Sequence, residues 1–219
     1  MRRLTIIAAC LLVSAPALAQ SDAQLAESQR YLDCLDQVAI APEEALEDAL
    51  SWRNDGGGWP ARHCHARSLA ALGESEAAAL HLENIAGEPR PGMLTHERLG
   101  IWMEAGALWM QIEALEAAIL AYSSALALDA MDSGALAGRA LAYSGLGEWE
   151  GAAADAQRLT ASHADHATGW RLLAEARLEM GELDEASAAI IRALQQEPAN
   201  IDTLVLRGRI NEAQRLAGG

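Results

Sequence analysis

The sequence predicts an all-α fold, a stack of antiparallel helix pairs forming an α-solenoid. Three observations predict it. Alanine, the best helix former, makes up roughly a fifth of the 219 residues. Aromatic residues, which favour strands, are 4% of the chain, and phenylalanine is absent. Small and large residues recur with a period of 34 from Leu99 to Asn200. At 51% apolar and 21% charged the chain can bury a core, and its length allows one or two domains. The net charge is −15 and every basic residue is arginine. This excludes the basic footprint that a nucleic acid or an anionic membrane surface requires.

The first segment reads as an export signal rather than as part of the fold. Arg2 and Arg3 form a basic n-region, and Leu4–Val13 is an apolar stretch of ten residues, too short to span a bilayer. Ala17-Leu18-Ala19 supplies an A-x-A cleavage site, so residues 1–19 are expected to be removed and Gln20 to begin the mature chain. Ile7-Ala8-Ala9-Cys10 offers a lipoprotein box, with Cys10 acylated, as the lesser alternative. A periplasmic or secreted location follows. No second long apolar stretch exists, so no membrane span is expected in the mature chain. After cleavage Cys34 and Cys64 remain. An even count in an oxidising compartment reads as one disulfide. Closing a loop of about 30 residues would stabilise by roughly 3–4 kcal/mol in the loop-entropy model.

Residues 20–58 form a divergent helical hairpin, with helices over 22–39 and 42–53. Pro42 suits a first helical turn, and Glu43 and Glu44 suit its positive end. Asn54-Asp55-Gly56-Gly57-Gly58 separates it from the next helix as a flexible connector; no strand or Gly-Lys-Ser/Thr accompanies it to make a phosphate loop.

Four units follow, 59–92, 99–132, 133–166 and 167–200, the last three contiguous. Position 8 is Ala66, Gly106, Ala140 or Ala174, and position 20 is Ala78, Ala118, Ala152 or Ala186. Large residues stand at position 4 (Trp102, Leu136, Trp170), position 11 (Leu69, Trp109, Tyr143) and position 24 (Leu82, Tyr122, Ile190). Position 15 is glycine at Gly73, Gly147 and Gly181, where a helix must end with positive φ. The unit 99–132 departs here, with Glu113. Gly87 to Gly92 marks a longer connection ahead of Met93–Arg98. This pattern resembles the tetratricopeptide repeat (TPR) family over residues 59–200. Only small side chains fit where the two helices of a unit approach most closely, at positions 8 and 20. Residues 201–219 match a further first helix, with Leu204 at position 4 and Gly208 at 8, polar enough to cap the stack.

The resemblance implies a right-handed superhelix, TPR-like, whose inner surface is lined by first-helix positions 2, 5, 9 and 12. Those positions are Gly100, Met103, Ala107 and Met110, then Gly134, Ala137, Leu141 and Ser144, then Thr168, Arg171, Glu175 and Leu178. The last helix adds Asp202, Val205 and Arg209. Some TPR proteins clamp a terminal carboxylate with lysine and asparagine at positions 5 and 9, and these are absent. An apolar, methionine-containing groove instead suits an amphipathic helix or an extended apolar segment. The chain is therefore expected to be an exported bacterial scaffold that binds a protein or peptide without catalysis, cofactor or metal.

The alternative function is a redox or metal-binding protein centred on Cys34, His63, Cys64 and His65. Alternate helix residues diverge, no further cysteine completes a zinc pattern, and the two histidines are expected on the surface flanking a bonded Cys64. His163 and His166 are expected in a solvated turn. The carboxylates Glu43/Glu44, Glu74/Glu76 and Asp184/Glu185 fall at helix starts, where dipole complementarity explains them. No Ser–His–Asp or Cys–His constellation is present, so no catalytic residue is assigned.

Overall fold

The computed structural model describes residues 16–88 and 90–218, with side chains from Gln24 onward. The basic pair, the h-region and Cys10 lie outside the described residues. Eleven helices follow one another: α1 (Pro16–Ile40), α2 (Pro42–Asn54), α3 (Gly58–Ala71), α4 (Ser75–Gly87), α5 (Thr95–Gln111), α6 (Leu115–Leu128), α7 (Ser133–Leu146), α8 (Trp149–Ser162), α9 (Ala167–Glu179), α10 (Leu183–Gln196) and α11 (Ile201–Ala217). Each packs on the next, and no strand occurs among the described residues. None of these helices is long and apolar enough to cross a membrane.

Local signals place the helix ends. Asp132 accepts a hydrogen bond from the Ala135 amide (2.8 Å) to start α7, and Asn200 does the same for Thr203 (3.0 Å) at α11. Pro42 opens α2, with Glu43 and Glu44 in its first turn. Along α10, Ala186, Ala189, Ile190 and Ala193 repeat at helical spacing and are buried, while Asp184 and Glu185 occupy its positive end.

The small residues at repeat positions 8 and 20 are buried without exception in the four complete units. A Cβ added at Gly106 would stand 2.7 Å from the Tyr122 ring, so two helices meet there over a hydrogen atom. Leu82, Leu136, Leu159, Leu172 and Ile190 fill the space between pairs and are fully buried, each contributing about 1.5–3 kcal/mol. Gly208, at position 8 of α11, is exposed; among the described residues no second helix covers it.

Three local expectations change. Residues 55–57 form a tight turn rather than a flexible connector: Gly56 has φ +93°, and a Cβ on Gly57 would collide with the Trp52 indole. The extra residues before unit 99–132 are partly helical, since α5 begins at Thr95. His166 is half-buried, and its Nδ1 caps α9 by accepting from the Gly169 amide (3.1 Å), so it is not a solvated turn residue.

The N-terminal hairpin joins the stack. α1 touches α3 as well as α2, just as α5 touches α7. Ala41 alone connects α1 to α2, where residues 72–74 connect α3 to α4, and this shorter turn hides the repeat register from the sequence.

Candidate binding groove

Successive first helices pack together at α1–α3, α5–α7, α7–α9 and α9–α11, and no comparable contact joins successive second helices. The stack is tighter on the first-helix side, which makes that side its inner surface.

α3 divides its chemistry by helix rotation, because consecutive side chains point about 100° apart. His63, Cys64 and His65 therefore face three different neighbours. All three are buried, which corrects the expectation of surface histidines: His63 is 4% exposed and His65 8%. Cys64 meets Cys34 of α1, with Cα atoms 6.3 Å apart, within the span of a disulfide. His65 turns to His81 of α4. No group of three His, Cys, Asp or Glu side chains converges to hold a metal ion among the described residues. Of the four residues of the redox or metal reading, Cys34 and Cys64 meet, while His63 and His65 turn to other neighbours.

His63 faces the inner surface and links three first helices. Its Nδ1 is hydrogen-bonded to the Tyr31 hydroxyl of α1, and its Nε2 lies 3.0 Å from Glu104 Oε2 of α5. Burial, then the Glu104 charge, pushes the Tyr31 phenol far above its ordinary range. The phenol therefore stays protonated; with a neutral imidazole it donates to Nδ1 and the Nε2–H donates to Glu104, and with an imidazolium both ring N–H groups donate, so in either state Nε2–H faces the carboxylate. Burial alone would raise the Glu104 carboxyl, but the His63 hydrogen bond and the Arg67 guanidinium outweigh it and hold the carboxyl below its usual range. Glu104 is thus a fixed anion, with Arg67 Nε 3.9 Å away. Beside this pair a hollow of about 500 Å³ opens between α1, α3, α4 and α5, walled by Leu35, Val38, Leu82 and Leu108. A charged pair next to an apolar hollow can meet a peptide amide and its neighbouring side chain together.

The residues expected to line the groove are distributed as follows. Met103, Met110 and Ala137 are half-buried against the central core, while Ala107 and Leu141 are exposed. Ser144 is half-buried, and its hydroxyl is sealed from solvent without a hydrogen-bond partner. Arg171, Glu175 and Leu178 are half-buried, and Val205 is 60% exposed. Arg209 lies 3.8 Å from Glu175 and bonds Glu179, so it is held within the structure.

Comparison with solved structures decides the fold. YrrB, described as a TPR protein with an unusual peptide-binding site, superposes with a TM-score of 0.67 at 14% identity over 81% of this chain and 90% of its own. The chain has the tetratricopeptide-repeat fold. The MamA protein matches this TPR solenoid with a TM-score of 0.64 at 18% identity, covering 78% of the chain and 92% of its own. The first TPR of Spaghetti (RPAP3), bound to the HSP90 peptide SRMEEVD, matches with 0.52 at 22% identity over 53% of the chain and 93% of its own. No protein-family model and no curated protein matches.

Sequence reasoning missed Tyr31, Leu35, Arg67 and Glu104. Positions 5 and 9 of unit 59–92 are His63 and Arg67, so the repeat register already contained the signal for Arg67. Tyr31 and Leu35 carried none, because their helix pair has the shortened turn. Glu104 is at position 6, outside the expected lining set, and is recruited by His63.

Proposed function

We propose that this protein is an exported, non-catalytic scaffold that holds a protein or peptide segment on its inner surface. The observation that carries this reading is the composition of that surface. Exposed Ala107 and Leu141 lie on adjacent first helices, with the Tyr31–His63–Glu104 group and its hollow to one side and the Arg171, Glu175 and Arg209 charges to the other. The TPR solenoid in complex with an HSP90 peptide supports it as a mode of use of this fold. Export rests on Arg2-Arg3, the apolar run Leu4–Val13 and Ala17-Leu18-Ala19. Binding works by preorganised shape. A ligand burying about 300 Å² of apolar surface gains roughly 7 kcal/mol before the cost of immobilisation.

The test is site-specific photocrosslinking in cells from residues 107 and 141, with residue 127 on α6 as the outward control. One defined partner captured from 107 and 141, and lost in a folded Leu141→Glu protein, is the expected result. Capture from 127 alone moves the interface to the outer face and overturns the groove assignment.

A further inference from the structure

The side of α3 opposite the groove carries a second cluster of chemistry. The His65 ring meets His81 of α4 edge-on, with centroids 4.8 Å apart. Arg53, at the end of α2, and Arg62, at the start of α3, line the same hollow of about 450 Å³, together with Asn84 and the exposed Leu80. No carboxylate is among the residues lining it. Among the described residues neither Arg53 nor Arg62 has a carboxylate within 4.0 Å; both line the hollow without an acidic partner, as six arginines elsewhere also lack one, while Arg67, Arg139, Arg158, Arg177, Arg209 and Arg215 are paired. In a chain of net charge −15, two unpaired guanidiniums converging on two imidazoles invert the local charge.

We infer that the Arg53–Arg62–His65–His81 hollow is an anion-binding site for a small doubly charged ligand, a phosphate-type or dicarboxylate group. Two guanidinium forks and two ring N–H groups provide charge-assisted donors from three helices. The volume falls in the range of small-molecule sites, and Leu80 gives an apolar part of the ligand a surface. The groups facing the two rings are Arg53 from α2, Arg62 from α3 and Asn84 from α4, none of them acidic. Burial, then His81 and Arg53, push His65 down to about 4, and burial, then Arg53 and Arg62, push His81 down. A bound dianion opposes both effects. The complex therefore binds more protons than the free protein, and affinity rises as pH falls.

The experiment follows the histidine ring signals of the full chain by NMR during titration with sulfate, which remains a dianion throughout, and with succinate. Sodium chloride at matched ionic strength is the reference. Saturable shifts at His65 and His81, with His163 unmoved, are the expected result. Binding should weaken about ten-fold in Arg62→Gln and further in Arg53→Gln/Arg62→Gln. Sulfate should bind several-fold more tightly at pH 5.5 than at pH 7.5. Saturation by sulfate alone assigns the tetrahedral anion, and by succinate alone the dicarboxylate. Shifts that track ionic strength, or that persist in the double variant, overturn the site. Arg62 is exposed, so Arg62→Gln should fold, and an unchanged circular-dichroism spectrum and melting temperature keep the test decisive.

Discussion

Glu113 occupies, between α5 and α6, the left-handed turn position that Gly147 occupies one repeat later. Their φ angles are 59° and 74°. The turns are hydrogen-bonded alike: Glu113 and Ala114 donate to the Met110 and Trp109 carbonyls, and Gly147 and Glu148 to those of Ser144 and Tyr143. Glu113 is the one non-glycine residue with positive φ among the described residues. The repeat geometry imposes this conformation on a side chain that disfavours it. Replacing Glu113 with glycine should stabilise the protein by about 0.5–1 kcal/mol and raise its Tm by roughly 1–4 °C. Gly147→Glu should lose a similar amount. A thermal melt that moves the other way in both variants would overturn this account of the turn.

Asp155 is a buried carboxylate whose removal should be costly. Its oxygens accept from Arg139 Nε and Nη2 at 2.6 and 2.8 Å, and Arg158 stands 3.4 Å away. Arg139 also donates to the Ser123 hydroxyl (2.9 Å), so the group ties α6, α7 and α8 together. Asp155→Ala would leave the Arg139 guanidinium, 17% exposed, without its main partner. A loss of about 3–5 kcal/mol in denaturant unfolding is expected. A loss under about 1 kcal/mol would show that the pair is dispensable.

Cys34 and Cys64 should be joined in the oxidised protein. Freshly isolated material should then contain no titratable thiol, and Cys34→Ser should lower stability by roughly 3–4 kcal/mol under oxidising conditions. Reductant should destabilise the wild type and leave the variant unchanged. Because α1 carries Tyr31 and Leu35, faster amide exchange should appear first in α1 and the groove wall it forms. An unchanged oxidised melting temperature in Cys34→Ser defeats the staple.

His65 sets an acid limit on stability. Burial, His81 and Arg53 lower its pKa in the folded chain to about 4, while the unfolded chain titrates near 6.5. Between these values the unfolded state holds more protons. Stability is therefore undiminished above pH 6.5 and falls as pH drops toward 4, by up to about 3 kcal/mol. His65→Gln should flatten this part of the stability profile. A profile parallel to that of the wild type over pH 6.5–4 would remove His65 as the cause.

Export makes a prediction at the N-terminus. Protein recovered from the extracytoplasmic fraction should begin at Gln20. A mature chain that retains Met1, or that begins at an acylated Cys10, overturns the cleavage assignment.

The stacking of the helices was legible in the sequence for a steric reason. Ala66, Ala78, Ala140 and Ala152 are each completely buried, so the spacing of small residues marks the faces by which the helices pack. Gly73, Gly147 and Gly181 mark the turns because positive φ favours glycine, and Glu113 escaped this signal because the neighbouring pairs enforce the turn without one. The site was legible only in part. Helix periodicity states that His63, Cys64 and His65 diverge, but not what each one meets. Tyr31 and Glu104 lie 32 and 41 residues from His63 along the chain, and only the packing of α1 on α3, and of α4 on both α3 and α5, brings them within hydrogen-bonding reach. The sequence determined the pairing of helices, because backbone approach depends on local side-chain size. The tertiary structure decided which polar groups converge, because that depends on how each pair rotates against the next.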